Sequence, residues 1–137
     1  MEWSGCAESY PSKQPNHCWA QTAGGYGDGF GQGGMTGGHW VFEDCIFRYN
    51  TSDGMDLLYV RENSQIEIRR TKSYGNAGDQ IKVNGSTRIE NSLMVSNCGY
   101  FNGKSVTYNV DNCRAGGSAL VFSLRQGNTV SVVNSTL

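Results

Sequence analysis

The chain has 137 residues, 19 glycines, two prolines and five cysteines, and its 11 basic and 12 acidic residues leave a net charge of −1. That length makes one domain able to bury a core, and the balanced charge draws it neither to nucleic acid nor to a membrane surface. No apolar run is long enough to span a bilayer.

Residues 1–39 show little apolar periodicity. They open without the basic-then-apolar stretch of a signal peptide. Cys6 and Cys18 bracket a polar loop that holds both prolines, and each of the pairs Cys6–Cys18 and Cys98–Cys113 is a candidate disulfide closing a surface loop. Such bridges imply an oxidising compartment, so an extracellular or cell-surface location is expected. Cys45 reads as a small buried side chain in a strand. His17, Cys18 and Cys6 lack the close ligand pairs that zinc requires. The segment 24–38 is more than half glycine and leads into a strand-like run. We read 1–39 as an irregular, glycine-rich N-terminal cap or loop.

From Trp40 the pattern changes. Short runs rich in Val, Ile and aromatics alternate with Gly, Asn, Ser and Asp turns, which is strand-and-turn chemistry. Phe42 stacks over Ile66, Ile89 and Val132 at steps of 24, 23 and 43 residues. A second register runs through Asp56–Val60, Asp79–Val83 and 119–123. The long step is one repeat plus an insertion of roughly 98–116. A fixed period in the low twenties with several short strands signals a solenoid. Leucine-rich repeats share the period, but their leucine framework is missing here.

The expected fold is therefore all-β: a right-handed parallel β-helix of about four coils over 40–137. Phe42, Ile66, Ile89 and Val132 form one inward ladder, Leu58 and Ile81 a second, with Val60 and Val83 beside it. Asn91-Ser92 and Asn134-Ser135 recur at one turn, where polar side chains can satisfy bent backbone. The chain stops at Leu137 in mid-repeat, so either it is a piece of a longer β-helix or another chain covers the end, as in a homo-oligomer stacked through its open coils.

Chemistry concentrates between Asn50 and Gly85. Asp53 and Asp56 flank Gly54 just before a strand, and Asp28 lies one coil earlier. Asp79 follows Asp56 by 23 residues and is expected beneath it. Stacked carboxylates repel unless a cation bridges them, and Ca2+ takes six to eight oxygen ligands. Common Asp-Gly turn chemistry explains the same residues without a cation. In the alternation of Gln80 and Lys82 against Ile81 and Val83, Lys82 faces out, with Tyr59 as its neighbour one coil earlier. Beside a cation its pKa falls, which suits a general base. Arg61, Arg69, Arg70 and Arg88 could receive acidic sugars through paired contacts, and Tyr59, Tyr74 and Tyr100 could stack on sugar rings. Strict alternation places Asp56 with inward Leu58, so an outward Asp56 requires a turn or bulge before Leu57.

The segments Asn50-Thr-Ser-Asp-Gly-Met-Asp-Leu57 and Gly78-Asp-Gln-Ile-Lys-Val-Asn-Gly85 resemble those of the β-helix pectate lyases of polysaccharide lyase family 9. The resemblance implies calcium held by Asp53 and Asp56, with Asp28 as a further ligand. It also implies Lys82 as the base of a β-elimination on uronate polymers. Ser52 stands where that family has the first Asp of its pair, and Asn84 where it has a glycine. The first segment is also similar to one in polygalacturonases, but their paired aspartates and Gly-His-Gly segment have no counterpart here. Two functions are carried forward. One is a pectate lyase-like module binding calcium and acidic polysaccharide, with residual β-elimination. The other is a non-catalytic structural or interaction module.

Overall fold

The computed structural model describes residues 1, 2, 4, 27–32, 34, 36–97 and 117–137. The candidate disulfide cysteines Cys6, Cys18, Cys98 and Cys113, together with Tyr100 and the insertion 98–116, lie outside the described residues. Among the described residues the protein is all-β, with no helix. In chain order the strands are β1 (Phe30–Gly31), β2 (His39–Glu43), β3 (Ile46–Arg48), β4 (Met55–Leu57), β5 (Gln65–Arg69), β6 (Lys72–Tyr74), β7 (Ile81–Asn84), β8 (Ser86–Glu90), β9 (Leu93–Val95), β10 (Leu120–Ser123) and β11 (Val130–Val133). Part of the glycine-rich stretch is thus strand, and it pairs with β4.

All strand pairings are parallel. The first sheet is β1-β4-β7-β10, the second β2-β5-β8-β11 and the third β3-β6-β9. Thr136 extends the third sheet by a bridge to Leu93. The chain visits the three sheets in the same order on every circuit, and this stack of short parallel strands fits a β-solenoid.

Alternation decides which side chains go inside. In β7, Ile81 and Val83 are fully buried while Lys82 and Asn84 are partly exposed. In β5, Ile66 and Ile68 are buried. With Phe42, Phe47, Met55, Leu57, Ile89 and Met94 they form one core, and burying each such side chain contributes about 1.5–3 kcal/mol. The first circuit is closed by edge-to-face aromatics, with Phe30 and Phe42 at 5.1 Å and Phe42 and Phe47 at 6.4 Å.

The register differs from the equal-period expectation. Phe42 pairs with Ile68, not Ile66, which instead lies between Trp40 and Thr87. Ile68, Ile89 and Val132 continue the column. The circuits are unequal because the link from the first sheet to the second runs over 58–64 after β4 but is Gly85 alone after β7. In the first sheet Met55 pairs with Ile81 and Leu57 with Val83, while Leu58 has already left the strand. The expected Leu58–Ile81 and Val60–Val83 ladders therefore do not form. Cys45 is a free thiol in the turn between β2 and β3, half-buried rather than buried within a strand.

The corner from the second sheet to the third has one design in every circuit. Asp44, Arg70, Asn91 and Asn134 sit there at φ of 55, 48, 50 and 47°. The next residue then closes a ladder. The Cys45 N–H donates to Thr71 Oγ1 (3.3 Å), the Thr71 N–H to Ser92 Oγ (3.1 Å) and the Ser92 N–H to Ser135 Oγ (3.0 Å). Each hydroxyl also donates to the carbonyl two residues back: Thr71 to Arg69, Ser92 to Glu90 and Ser135 to Val133. Asn and Asp tolerate this left-handed conformation, whereas Arg70 adopts it under strain. Thr71 is fully buried, so Thr71→Val should lower stability by about 1–3 kcal/mol by orphaning the Cys45 N–H. A shift in the urea midpoint measures this, and an unchanged midpoint would show that the ladder contributes nothing.

Candidate functional site

The site forms where the chain enters the first sheet. Three successive circuits bring in Asp28-Gly29-Phe30-Gly31, Asp53-Gly54-Met55-Asp56 and Asp79-Gln80-Ile81-Lys82. Behind them lies a wholly buried polar network. Asn76 Oδ1 accepts from the Asn50 backbone N–H (3.1 Å) and from Asn50 Nδ2 (2.8 Å). Asn76 Nδ2 donates to Gln80 Oε1 (2.7 Å) and Ser73 Oγ (3.1 Å). The Ser73 hydroxyl donates to the Gln80 carbonyl (2.7 Å). Gln80 is thus fully buried, not outward as the alternation with Ile81 suggested. Its side chain precedes the strand and turns back into this corner.

In front of the network the aspartates form a column. Asp28 Oδ1 accepts the Asp53 N–H (3.0 Å), Asp53 Oδ1 the Asp79 N–H (2.7 Å) and Asp79 Oδ1 the Ser118 N–H (2.7 Å). Each carboxylate holds the backbone one circuit on. Asp79 therefore lies beneath Asp53, which corrects its expected place beneath Asp56. Gly78 makes the approach possible, since a Cβ there would lie 2.2 Å from Asp53 Oδ1.

Three residues along, Gly31, Asp56 and Lys82 are in register on the outer face. Asp56 points out between inward Met55 and Leu57, so no bulge is needed. Its Oδ1 accepts the Leu58 N–H at 2.9 Å. The neighbour of Lys82 one circuit earlier is accordingly Asp56, not Tyr59. Lys82 Nζ lies 2.8 Å from Asp53 Oδ2 and 3.3 Å from Asp79 Oδ2. One oxygen from each of Asp28, Asp53 and Asp56 lies within 4.8 Å of the others. Asp79 is tied to Lys82 and Ser118 and does not belong to that triad.

Burial raises the pKa of Asp53, against the pull of the Lys82 ammonium. Burial also raises that of Asp56, against the Leu58 N–H and Lys82. For Lys82 burial opposes the charge, yet Asp53, Asp56 and Asp79 together outweigh it and raise its pKa. With these partners Lys82 is a held ammonium at neutral pH and cannot accept a proton. A cation drawn to the triad competes with Lys82 for Asp53.

The raised Asp56 pKa has a sign. Its contribution to stability is present below the ordinary carboxylate value and is lost as pH rises through the raised one. In chelator, Asp56→Asn should therefore melt above wild type at pH about 7, with the gap closing toward pH about 4. A variant melting below wild type at neutral pH would contradict the burial argument.

The other sequence candidates are dispersed. Tyr59 is exposed in the loop after β4, and Arg61 follows in the same loop. Arg88 is on the second sheet, in register with Glu67 and ion-paired to Glu90, away from the aspartate column. Arg69 pairs with Glu67 and Glu43, and Arg70 with Asp44 and Glu43. Tyr74 lies on the third sheet against Tyr49. Sequence reasoning missed Asn50, Ser73, Asn76 and the burial of Gln80. It also missed the repeat Asp28-Gly-Phe, Asp53-Gly-Met, Asp79-Gln-Ile, which is visible at steps of 25 and 26 residues. Compared with known proteins, the chain has no significant match to a family model, a curated protein or a solved structure.

Proposed function

We propose that this protein is a right-handed parallel β-helix of the pectate lyase-like kind that binds calcium and, beside it, an acidic polysaccharide outside the cell or at its surface. The observation that carries the reading is the convergence of Asp28, Asp53 and Asp56 next to Lys82 on one outer sheet face. The donor set is all carboxylate oxygen, which suits a hard cation. A cation there would supply neutralisation of a uronate carboxylate. Asp28, Asp53 and Asp56 would hold it, and Lys82 faces the same surface. A cation there would share the Asp53 carboxylate that faces Lys82 and would lower the Lys82 pKa by its charge. A neutral Lys82 amine can take the proton next to the uronate carboxyl while the glycosidic C–O bond β to it breaks and the leaving oxygen takes a proton from water, the base role in a residual β-elimination.

Calcium should raise the melting temperature of wild type and leave that of Asp56→Asn unchanged. Polygalacturonate incubated with protein and calcium should develop the absorbance of unsaturated uronates, and Lys82→Ala should abolish it. Absence of calcium-dependent stabilisation would sink the cation reading. Absence of new absorbance at any pH from about 7 to 10, the span over which a lysine amine with a lowered pKa deprotonates, would remove the lyase activity alone.

A second reading is a structural or interaction module that stacks on itself. It rests on β10 and β11, which among the described residues are the outermost strands of their sheets. Phe122 is in register with buried Val83, yet it is 54% exposed, and Leu124 and Val132 are exposed beside it. Open strand edges with apolar ends invite pairing. Oligomers that grow with concentration in light scattering would favour this reading, and a strict monomer would count against it.

A further inference from the structure

The first and last circuits end the stack in different ways. At the first, residues 1–4 run beside β3. Glu2 forms a parallel bridge with Arg48, and the Arg48 N–H donates to the Met1 carbonyl at 3.0 Å. Arg48 Nε lies 2.6 Å from Glu2 Oε2, while its Nη1 donates to the Tyr74 hydroxyl at 3.1 Å. Two residues on, the Ser4 N–H donates to Asn50 Oδ1 at 3.0 Å. The Ser4 carbonyl accepts the Thr51 N–H and the Thr51 hydroxyl, each at 3.2 Å. Asn50 belongs to the buried network behind the aspartate column, so this segment closes that network as well as the edge of β3. Glu2 holds the place beside β3 that a strand of a preceding circuit would hold.

At the last circuit, no strand among the described residues lies beyond β10, β11 or Thr136. The corner ladder is unfinished there too. Its N–H groups pass from Cys45 to Thr71, from Thr71 to Ser92 and from Ser92 to Ser135, and among the described residues no hydroxyl receives the Ser135 N–H in turn. Phe122, Leu124, Val132 and Leu137 are exposed around this end, an apolar surface of the kind that marks a contact. The stretch 117–137 has a single charged side chain, Arg125, and Glu62 is its partner. The first circuit instead carries Asp28, Glu43, Asp44 and Arg48. A partner that docks by charge has nothing to match on the last circuit. A copy stacked head to tail would bring its β3 edge to Thr136, where its own Glu2 already sits. It would also offer the Cys45 sulfur, a weak acceptor, where every internal rung offers a hydroxyl. Two last circuits that face each other meet neither obstacle, because both are neutral and apolar with strand edges left to pair.

We propose that the last circuit is the contact surface for a second copy of this chain, met last circuit to last circuit about a two-fold axis, and that residues 1–4 are a cap strand that stops assembly at the dimer. Such a contact is self-complementary and closed, whereas a head-to-tail one propagates into a filament. The inference rests on the self-stacking reading and adds to it the contact face and the limit of growth. The test is sedimentation velocity of the full chain over a wide concentration range. Wild type should reach a plateau at twice the 14.9 kDa monomer mass, a result that needs no substitution. Phe122→Lys and Val132→Lys each place a charge in the contact and should weaken the dimer about tenfold or more. Val41→Lys, at an exposed apolar position on β2, should remain dimeric. Glu2→Arg combined with Ser4→Pro repels Arg48 and removes the Ser4 donor, and should let assembly run past the dimer. A strictly monomeric wild type would sink the self-stacking reading and this inference together. A wild type that grows past the dimer would leave stacking in place and overturn the cap. Undiminished dimers in both lysine variants overturn the contact face, and a Glu2→Arg, Ser4→Pro variant that stops at the dimer overturns the role of residues 1–4.

Discussion

Gly54→Ala should lower stability by about 3 kcal/mol or more, enough to abolish folding in a domain of ordinary stability. A Cβ at this position would sit 2.1 Å from Ser73 Oγ, 2.5 Å from the Gln80 carbonyl oxygen and 2.7 Å from Asn76 Nδ2. None of these can retreat cheaply. The Gln80 carbonyl accepts the Met55 N–H at 3.1 Å and the Ser73 hydroxyl at 2.7 Å. Asn76 is fully buried and bonded on every side. The methyl group would therefore both overpack the corner and break its hydrogen bonds. Gly34→Ala is the matched control, because the nearest atom there would be 3.5 Å away. Urea denaturation of the two variants checks the argument, and a wild-type midpoint for Gly54→Ala would refute it.

Asn76→Ala should cost a comparable amount, about 3–5 kcal/mol, through orphaned groups rather than crowding. The side chain serves five partners: the Asn50 N–H, Asn50 Nδ2, the Phe47 carbonyl, Ser73 Oγ and Gln80 Oε1. Alanine leaves the Asn50 donors facing a void from which water is excluded. Asn76→Asp distinguishes lost packing from lost hydrogen bonds. It keeps the volume and the acceptor toward Asn50 but points a second oxygen at Gln80 Oε1. It should be at least as harmful as alanine at neutral pH and should recover on acidification, when the protonated carboxyl can donate. An aspartate variant as stable as wild type at neutral pH would mean that the network is unimportant. Both substitutions should outweigh Asp56→Asn, which lies on the half-open outer face and alters the charge more than the packing.

Part of this architecture was legible in the residues and part was not, for definite reasons. Phe42, Ile89 and Val132 were matched correctly because the unequal steps of 26 and 21 residues between Phe42, Ile68 and Ile89 average to the expected period. The middle rung slipped by two to Ile66, an error that keeps the same face. In the first sheet the slip was three, an odd number, which turns every side chain over. It arose from matching Asp56-Leu-Leu-Tyr-Val with Asp79-Gln-Ile-Lys-Val, two similar strings at different heights. That error put Leu58 inside, placed Asp79 under Asp56 and set Tyr59 beside Lys82. Asp28, Asp53 and Asp56 stand out because carboxylates stacked at one corner repel unless a cation bridges them, and Lys82 because it faces out beside them. Asn50, Ser73, Asn76 and Gln80 do not, because such residues usually mark exposed turns. Only stacking reveals that each one satisfies the circuit beside it.

The invariant corner at Asp44, Arg70, Asn91 and Asn134 has a consequence for how such a molecule can change. That edge works as a spine: its length is the same in each circuit, and its hydroxyl ladder couples neighbouring circuits residue by residue. Among the described residues the edge from the first sheet to the second varies instead, from Gly85 alone to 58–64. That variable edge borders the first sheet, the face that carries Asp56, Lys82 and Asn84. Insertions can therefore raise or lower the wall beside that face while the spine keeps its register, so a lineage built on this plan can reshape its outer face without redesigning its interior.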